Sequence, residues 1–336
     1  MISVIIPVYN EVKYIDGCVQ SIVNQDYPYD EMEVFFVDGL SDDGTRDRLA
    51  LWAEKYPWLH VLDNPKGIVP PAMNLGIRAA KGDIIIRLDA HSVFPSHYFS
   101  ELVKYLNELN ADNVGGVWRT LPAAPTPLCK SIAAVMSHPF GMGNAYYRIG
   151  TGQIRKVDTV PFGCYRRSLF DKIGFFDEEL IRNQDDEFNG RIVKNGGSIY
   201  LLPHLVIDYF ARDSVRKVWS MFYQYGLFKP LVNKKLGKPA TVRQFFPMLF
   251  VLGLFFGLLL LPLSFWLGIV YGLVVLLYVV TAFAIGVRAS LREHCGLMAV
   301  MMPCLFFVVH CAYGIGYLHG LYKLLFRKSF VVKSRR

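Results

Sequence analysis

ISVIIPV at residues 2–8 is the stretch that decides the fold: an apolar run of β-branched residues, too short for a helix and stopped by Tyr9-Asn10-Glu11. Two further runs match it, EVFFVD (Glu33–Asp38) and DIIIRLD (Asp83–Asp89). Continuous hydrophobicity, rather than alternation, predicts strands covered on both faces. Helical spacing fills the intervals. Ile15, Cys18, Val19, Ile22 and Val23 share one face, and a second helix is predicted from about Pro71 to Lys81, stopped by Gly82. Strand and helix in alternation imply an α/β fold with a mostly parallel sheet, whose ligands collect at the carboxyl ends of the strands. Beyond it, WRT and SIYLLP read as strands and a helix is predicted to begin near Asp185.

The 336 residues carry a formal net charge of +8, and the position of that charge excludes a nucleic-acid partner. Between Arg212 and Arg243 stand eight basic residues against the single acid Asp213, and from Leu318 onward six basic residues and no acid. These groups flank an apolar region, where they would meet anionic headgroups. Phe245–Leu263 and Leu267–Val287 are uncharged and each close to the ~20 residues that cross hydrocarbon, with Pro262, Ser264 and Trp266 marking a turn between them. A third stretch, Leu297–Tyr317, favours three spans over two, although a third crossing sets the basic tail 326–336 against the positive-inside tendency. Residues 214–228 place Val215, Val218, Trp219 and Phe222 on one helical face, the pattern of an interfacial helix or of a helix facing a core. The opening MISVIIPVYNE lacks a basic n-region and reads as a buried strand rather than a signal peptide. Six cysteines without framework spacing or a C-x-x-C pair suit a reduced compartment and no zinc site.

IPVYNE (Ile6–Glu11), VDGLSDDGT (Val37–Thr45) and RLDAH (Arg87–His91), followed by PFGCYRR (Pro161–Arg167), GFFDEEL (Gly174–Leu180) and NQDDEF (Asn183–Phe188), resemble the family 2 glycosyltransferases of the GT-A fold. The likeness is greatest to bacterial exopolysaccharide glucosyltransferases of the succinoglycan type and covers roughly residues 1–230. It implies a GT-A catalytic domain over 1–230, a membrane domain over 245–325 with two to three transmembrane helices, and a basic tail. The implied reaction is inverting, metal-dependent transfer of one sugar from a nucleotide-sugar donor, such as UDP-glucose, to a lipid-linked saccharide acceptor. The implied place is the cytoplasmic face of an inner membrane, in cell-surface polysaccharide synthesis. Two alternatives stand beside it: a polyprenyl-phosphate glycosyltransferase, and an inactive scaffold of a polysaccharide assembly complex.

The same resemblance assigns residues. Pro7, Tyr9, Glu11, Asp38, Lys66, Asn74 and Asp89 fall in donor-binding segments. An acid ending a strand, such as Asp38, can accept from the imide N–H of uracil, whereas Asp42 and Asp43 suit helix capping. A departing nucleoside diphosphate calls for a Lewis acid, and Asp89 with His91 form a D-x-H in place of the usual D-x-D. Imidazole suits Mn2+ better than Mg2+, so of the two cofactors Mn2+ is favoured. His204 reads as structural. An inverting displacement needs a carboxylate to take the acceptor proton, and the family pattern makes that Asp185, with Asp186 and Glu187 in the first turn of a helix. Arg166 and Arg167 could grip an acceptor diphosphate as planar forks, with Gln224 as a further acceptor-side candidate. Gln224 is not followed by the R-W of the processive synthases' Q-x-x-R-W, which argues for single-sugar transfer.

Overall fold

The computed structural model describes residues 1–239 and 241–330; the end of the basic tail, 331–336, lies outside the described residues. The chain divides into two compact units, Met1–Arg119 with Gly150–Tyr209, and Thr120–Ile149 with Phe210–Phe330. Packing therefore groups residues 120–149 and 210–230 with the C-terminal helices, where the motifs place them in a domain ending at 230.

Nine strands form one mixed sheet: β1 Ile2–Val8, β2 Met32–Asp38, β3 Leu59–Asp63, β4 Ile84–Arg87, β5 Ser92–Val93, β6 Asn113–Leu121, β7 Arg155–Lys156, β8 Cys164–Arg166 and β9 Ile199–Phe210. Their order is β3-β2-β1-β4-β8-β6-β9-β5, with β7 paired to β9. The first four are mutually parallel, and β8 runs antiparallel to β4. The first helices of the first unit are α1 Ile15–Val23, α2 Thr45–Lys55, α3 Val69–Ala79 and α4 Tyr98–Glu108. Alternate residues of β1 serve opposite faces: Ile2, Val4, Ile6 and Val8 join α1 and α4 in one core, while Ile5 lies under Gly76 of α3.

The predicted Pro71–Lys81 helix starts two residues earlier and ends at Ala79. Proline is at home in a first turn, because its missing N–H has no partner there anyway. Gly82 is no helix stop. A Cβ on it would lie 2.6 Å from Ser3 Oγ and 2.8 Å from backbone atoms of β1, so glycine is required by the close approach of two strand ends.

The second unit opens with α5 Pro127–Met136 and the single turns α6 Pro139–Met142 and α7 Tyr146–Ile149. After α8 Ser168–Ile173 and α9 Gln184–Lys194 of the first unit, it continues with α10 Val215–Leu236, α11 Phe246–Leu260, α12 Phe265–Arg292 and α13 Met298–Leu325. Among the described residues, three of its helical segments are long and apolar enough to cross a membrane. The turn between the first two falls at extended Ser264, as the sequence predicts. In α10, Val218 and Phe222 are buried while Val215 and Trp219 are exposed, so part of the amphipathic face packs inward.

Gly116 in β6 tests the sheet. An added Cβ would stand 2.3 Å from the Leu205 carbonyl oxygen, a backbone atom that cannot rotate away. Gly116→Ala is expected to lower stability by about 1–3 kcal/mol, the usual penalty of overpacking, read as a lower melting temperature of the purified chain. Gly152→Ala, with nothing within 4 Å, is the matched control.

Candidate active site

Parallel pairing of β1 with β2 and β4 brings Val8, Asp38 and Arg87 to one edge of the sheet. The chain past each strand end supplies the site. A cleft there is lined by Pro7, Tyr9, Glu11, Asn64, Gly67 and Arg182, among others. Tyr9 packs its ring over Gly39: a Cβ at Gly39 would come within 3.1 Å of that ring and 3.2 Å of the Gly67 backbone. That crowding favours glycine beside Asp38.

Asp38 is fully buried. Its carboxylate accepts from the Ser41 N–H at 3.0 Å, the Ser41 hydroxyl at 2.5 Å and Arg46 Nη1 at 2.8 Å. Arg46 also pairs with Asp63 at 2.8 Å. Three donors occupy three of roughly four lone-pair positions on a carboxylate. Neither Asp42 nor Asp43 is the cap of α2, whose N-cap position is Gly44; instead Asp42 exchanges hydrogen bonds with Asn10, and Asp43 accepts from the backbone N–H groups of Thr45 and Val12, tying the two loops together.

Beyond β4, Glu11 Oε1 lies 3.3 Å from His91 Nδ1. With Glu11 on the Nδ1 side of the ring, Nε2 is the nitrogen placed to offer a lone pair to a metal, an arrangement common for metal-binding imidazoles. Asp89 lies two residues before it, 3.3 Å from Arg87 Nη2. No group of three or more His, Cys, Asp or Glu suited to a metal occurs among the described residues. A donor-bridging ion does not require one, since such ions keep water and substrate oxygens as the remaining ligands. The donor set therefore fits a divalent cation shared with a diphosphate. Beside His91, the Tyr209 ring stacks on Trp118 at 4.2 Å between centroids.

Asp185 sits in the first turn of α9, behind Asn183 in the left-handed conformation. It is ion-paired to Arg87 Nη1, so one guanidinium joins Asp89 to Asp185. About a third of the Asp185 side chain (31%) is open. Burial of its carboxyl raises the pKa above the usual carboxylate range, and the Arg87 charge offsets only part of that rise. Burial opposes the Arg87 charge in turn, but the two carboxylates outweigh it and keep the guanidinium protonated. Glu187 is buried and paired with Arg191 at 2.7 Å, a brace that also ties Ile173 and Phe175 carbonyls.

The remaining candidates lie elsewhere. Asn74 is buried and spends its amide on the Phe176 backbone and Glu178, and Lys66 Nζ meets Glu178 at 2.6 Å, so both hold the 176–178 segment in place. Arg166 and Arg167 are removed from the site. Because β8 is antiparallel to β4, Arg166 pairs with Ile84 at the opposite end of the strand from Asp89. Arg166 donates to the Leu106 carbonyl and Arg167 to that of Ala80. Gln224 lies in α10 of the second unit, within 3.3 Å of Ser220 Oγ. His204 meets Glu101 at 3.1 Å, in keeping with a structural part. Arg87 itself escaped the sequence reading. A charge inside an otherwise apolar strand is the signal that points to it, because a buried cation needs partners.

A mixed sheet with helices on both faces, an acid ending β2 and a D-x-H past β4 define a GT-A glycosyltransferase fold. Residues 3–174, half of the chain, match the model of glycosyl transferase family 2. The chain belongs to that family and is a glycosyltransferase. It is 29% identical over 328 residues to the dolichyl N-acetyl-alpha-D-glucosaminyl phosphate 3-beta-D-2,3-diacetamido-2,3-dideoxy-beta-D-glucuronosyltransferase of Methanococcus voltae, covering 96% of this chain and 97% of that one. To the succinoglycan biosynthesis protein ExoA of Rhizobium meliloti it is 27% identical, covering 73% and 74%. Among solved structures, the mannosyltransferase PcManGT of Pyrobaculum calidifontis, in complex with GDP-Man and Mn2+, shares the fold with a TM-score of 0.55 at 19% identity, over 97% of this chain and 87% of that one.

Removing Arg87 leaves two carboxylates facing each other without their cation. Arg87→Ala is expected to cost on the order of 3 kcal/mol of stability. Arg87→Lys keeps the charge but not the fork that reaches both acids. It is expected to keep most of the stability and lose turnover, measured by thermal melting beside steady-state kinetics.

Proposed function

We propose that the protein transfers a single hexose, with inversion, from a nucleotide-sugar donor of the UDP-hexose type to a lipid-linked saccharide at a membrane surface. The observation that carries this reading is the Asp89–Arg87–Asp185 chain at the carboxyl edge of the sheet. It sets a metal-side carboxylate and a second, more basic carboxylate on the two arms of one guanidinium. The donor nucleotide lies in the cleft of Pro7, Tyr9, Glu11 and Asn64, its diphosphate toward Asp89 and His91. Asp185 takes the proton of the acceptor hydroxyl as that oxygen bonds to the anomeric carbon from the side opposite the diphosphate. The bond from that carbon to the diphosphate oxygen breaks, and the nucleoside diphosphate leaves with the electron pair. A divalent ion, Mn2+ before Mg2+ given the imidazole, supplies Lewis-acid stabilisation of the departing charge when bound to Asp89 and His91.

Two relatives support the acceptor class. One is named for acting on a dolichyl-linked N-acetylglucosaminyl phosphate and the other for succinoglycan biosynthesis. A saccharide already on its lipid fits the first name better than a bare polyprenyl phosphate does. Uncharged apolar stretches flanked by basic clusters support a membrane setting with the catalytic unit on the cytoplasmic side.

Excess EDTA is expected to abolish turnover of UDP-hexose with a lipid-linked saccharide, and Mn2+ to restore it better than Mg2+. His91→Asp should move that preference toward Mg2+. Full activity in EDTA would remove the metal from the mechanism.

Asp185→Asn is expected to lower kcat by ~10² to 10⁴, the usual worth of general-base assistance, with donor affinity unchanged. Asp186→Asn should be milder. Since the raised Asp185 carboxyl works only when ionised, activity falls as pH drops through its pKa, and the acid limb of kcat lies above the ordinary carboxylate range. The sign for folding is opposite. The native state binds that proton more tightly than the unfolded chain, so raising pH through the same window lowers the stability it contributes. An acid limb at the normal carboxylate pKa, or near-normal rates in Asp185→Asn, would take the base role away from this residue.

A further inference from the structure

Between α8 and α9 the chain runs without regular structure from Gly174 to Asn183, and that strap is tied down along most of its length. Arg191 donates to the carbonyls of Ile173 and Phe175 at its start. Phe176 is buried, stacks on Phe188 at 4.4 Å between centroids, and exchanges backbone hydrogen bonds with the Asn74 side chain at 2.9 and 3.0 Å. Glu178 is held by Asn74 and Lys66, and Leu180 is fully buried. At the far end Asn183, with φ at 60°, turns the chain into the first turn of α9.

Two residues stand between the last of these anchors and that turn, Ile181 and Arg182. Both line the cleft assigned above to the donor. An anchor on each side limits where they can go, which lowers the entropy cost of meeting a ligand there. Among the described residues lining the cleft, Arg182 is the one cation and Glu11 the one anion.

That charge is where the chemistry calls for it. A nucleotide-sugar arrives as an anion. Its diphosphate gains charge when the bond to the anomeric carbon breaks and the electron pair stays with the leaving oxygen. Glu11, Asp89 and Asp185 all repel such a group. Arg87 is taken up by two of these carboxylates, Arg46 by Asp38 and Asp63, and Lys66 by Glu178. A divalent ion at Asp89 and His91 would offset part of the diphosphate charge from one side, and Arg182 stands on the cleft side. Glu11 lines the same cleft and meets His91 at 3.3 Å, while Asp185 follows Arg182 by three residues. Arg182 therefore belongs to both ends of the site.

We propose that Arg182 binds the diphosphate of the nucleotide-sugar donor as a planar fork, held in position by the Asn74–Phe176 and Lys66–Glu178 ties. The inference rests on the nucleotide-sugar reading above. It gives Asn74 and Lys66 a donor-side part at one remove: they fix the strap, and the strap carries the residue that meets phosphate. Since charge on the leaving oxygen grows during transfer, the contact tightens toward the transition state and raises kcat as well as affinity.

Displacement of a fluorescent UDP analogue from the purified full-length chain in Mn2+ gives affinities for UDP and for uridine, which has no phosphate. The parent chain is expected to bind UDP far more tightly than uridine. Arg182→Gln is expected to weaken UDP about 10- to 100-fold, the usual worth of a hydrogen bond to a charged group. Uridine affinity and melting temperature should stay unchanged. Arg182→Lys keeps the charge without the fork and should fall between, and kcat with UDP-hexose should drop in the same order. Unchanged UDP affinity and kcat in Arg182→Gln overturn the proposal and leave the donor reading intact. Equal weakening of UDP and uridine also overturns it, because the strap would then shape the cleft and not bind phosphate. A parent chain with no preference for UDP over uridine overturns the donor reading and the proposal with it.

Discussion

Parallel pairing of β1 with β2 on one side and β4 on the other is the constraint from which the catalytic unit follows. Each pairing must be closed by a crossover, and right-handed crossovers seat α1 and α3 on opposite faces. The ladders then end together. The Gly39 N–H reaches the Val8 carbonyl at 2.8 Å, the Asn64 N–H that of Asp38 at 2.7 Å and the Leu88 N–H that of Ile5 at 3.0 Å. Residues next in sequence after three different strands are thereby delivered to one edge, where backbone groups and polar side chains face open space.

At that edge the electrostatic problem is to hold several carboxylates together. Arg87 solves it for Asp89 and Asp185, Arg46 for Asp38 and Asp63, and His91 sits against Glu11. Each acid is stabilised by a cation or imidazole whose position is set by the backbone, so the charges are organised before any ligand binds. Partial pairing has a chemical consequence. Arg87 tempers the effect of burial on Asp185 without cancelling it, which leaves a carboxylate more basic than one in water.

In the second unit glycine has a different purpose. Gly226, Gly314, Gly316 and Gly320 all stand where a Cβ would meet the backbone of a neighbouring helix. Close approach of helix axes maximises dispersion contact, and small residues are what permit it in an apolar setting. Glycines that look like breaks in an apolar stretch are its packing surface, and α13 accordingly continues to Leu325 instead of ending near Tyr317.

Much of this was legible in the residues themselves. Apolar runs at 2–8, 33–38 and 83–89 determine the three central strands, because only a strand buried on both faces tolerates such continuity. Ordered motifs identify the family and place Asp38, Asp89, His91 and Asp185, since each follows a strand or opens a helix by local rules. The hairpin turn at Ser264 and the apolar helices are likewise local facts. What depends on contacts between distant residues was decided only by the tertiary structure. The antiparallel direction of β8 carries Arg166 and Arg167 to the wrong edge, and no local signal sets that direction. Asn74 and Lys66 turn out to grip Phe176 and Glu178 a hundred residues away. Arg87 becomes a bridge only when α9 folds across it, and α13 becomes a covered helix only when α10 lies along it. Hydropathy reports whether a side chain prefers lipid to water; it does not report whether protein occupies the place of the lipid.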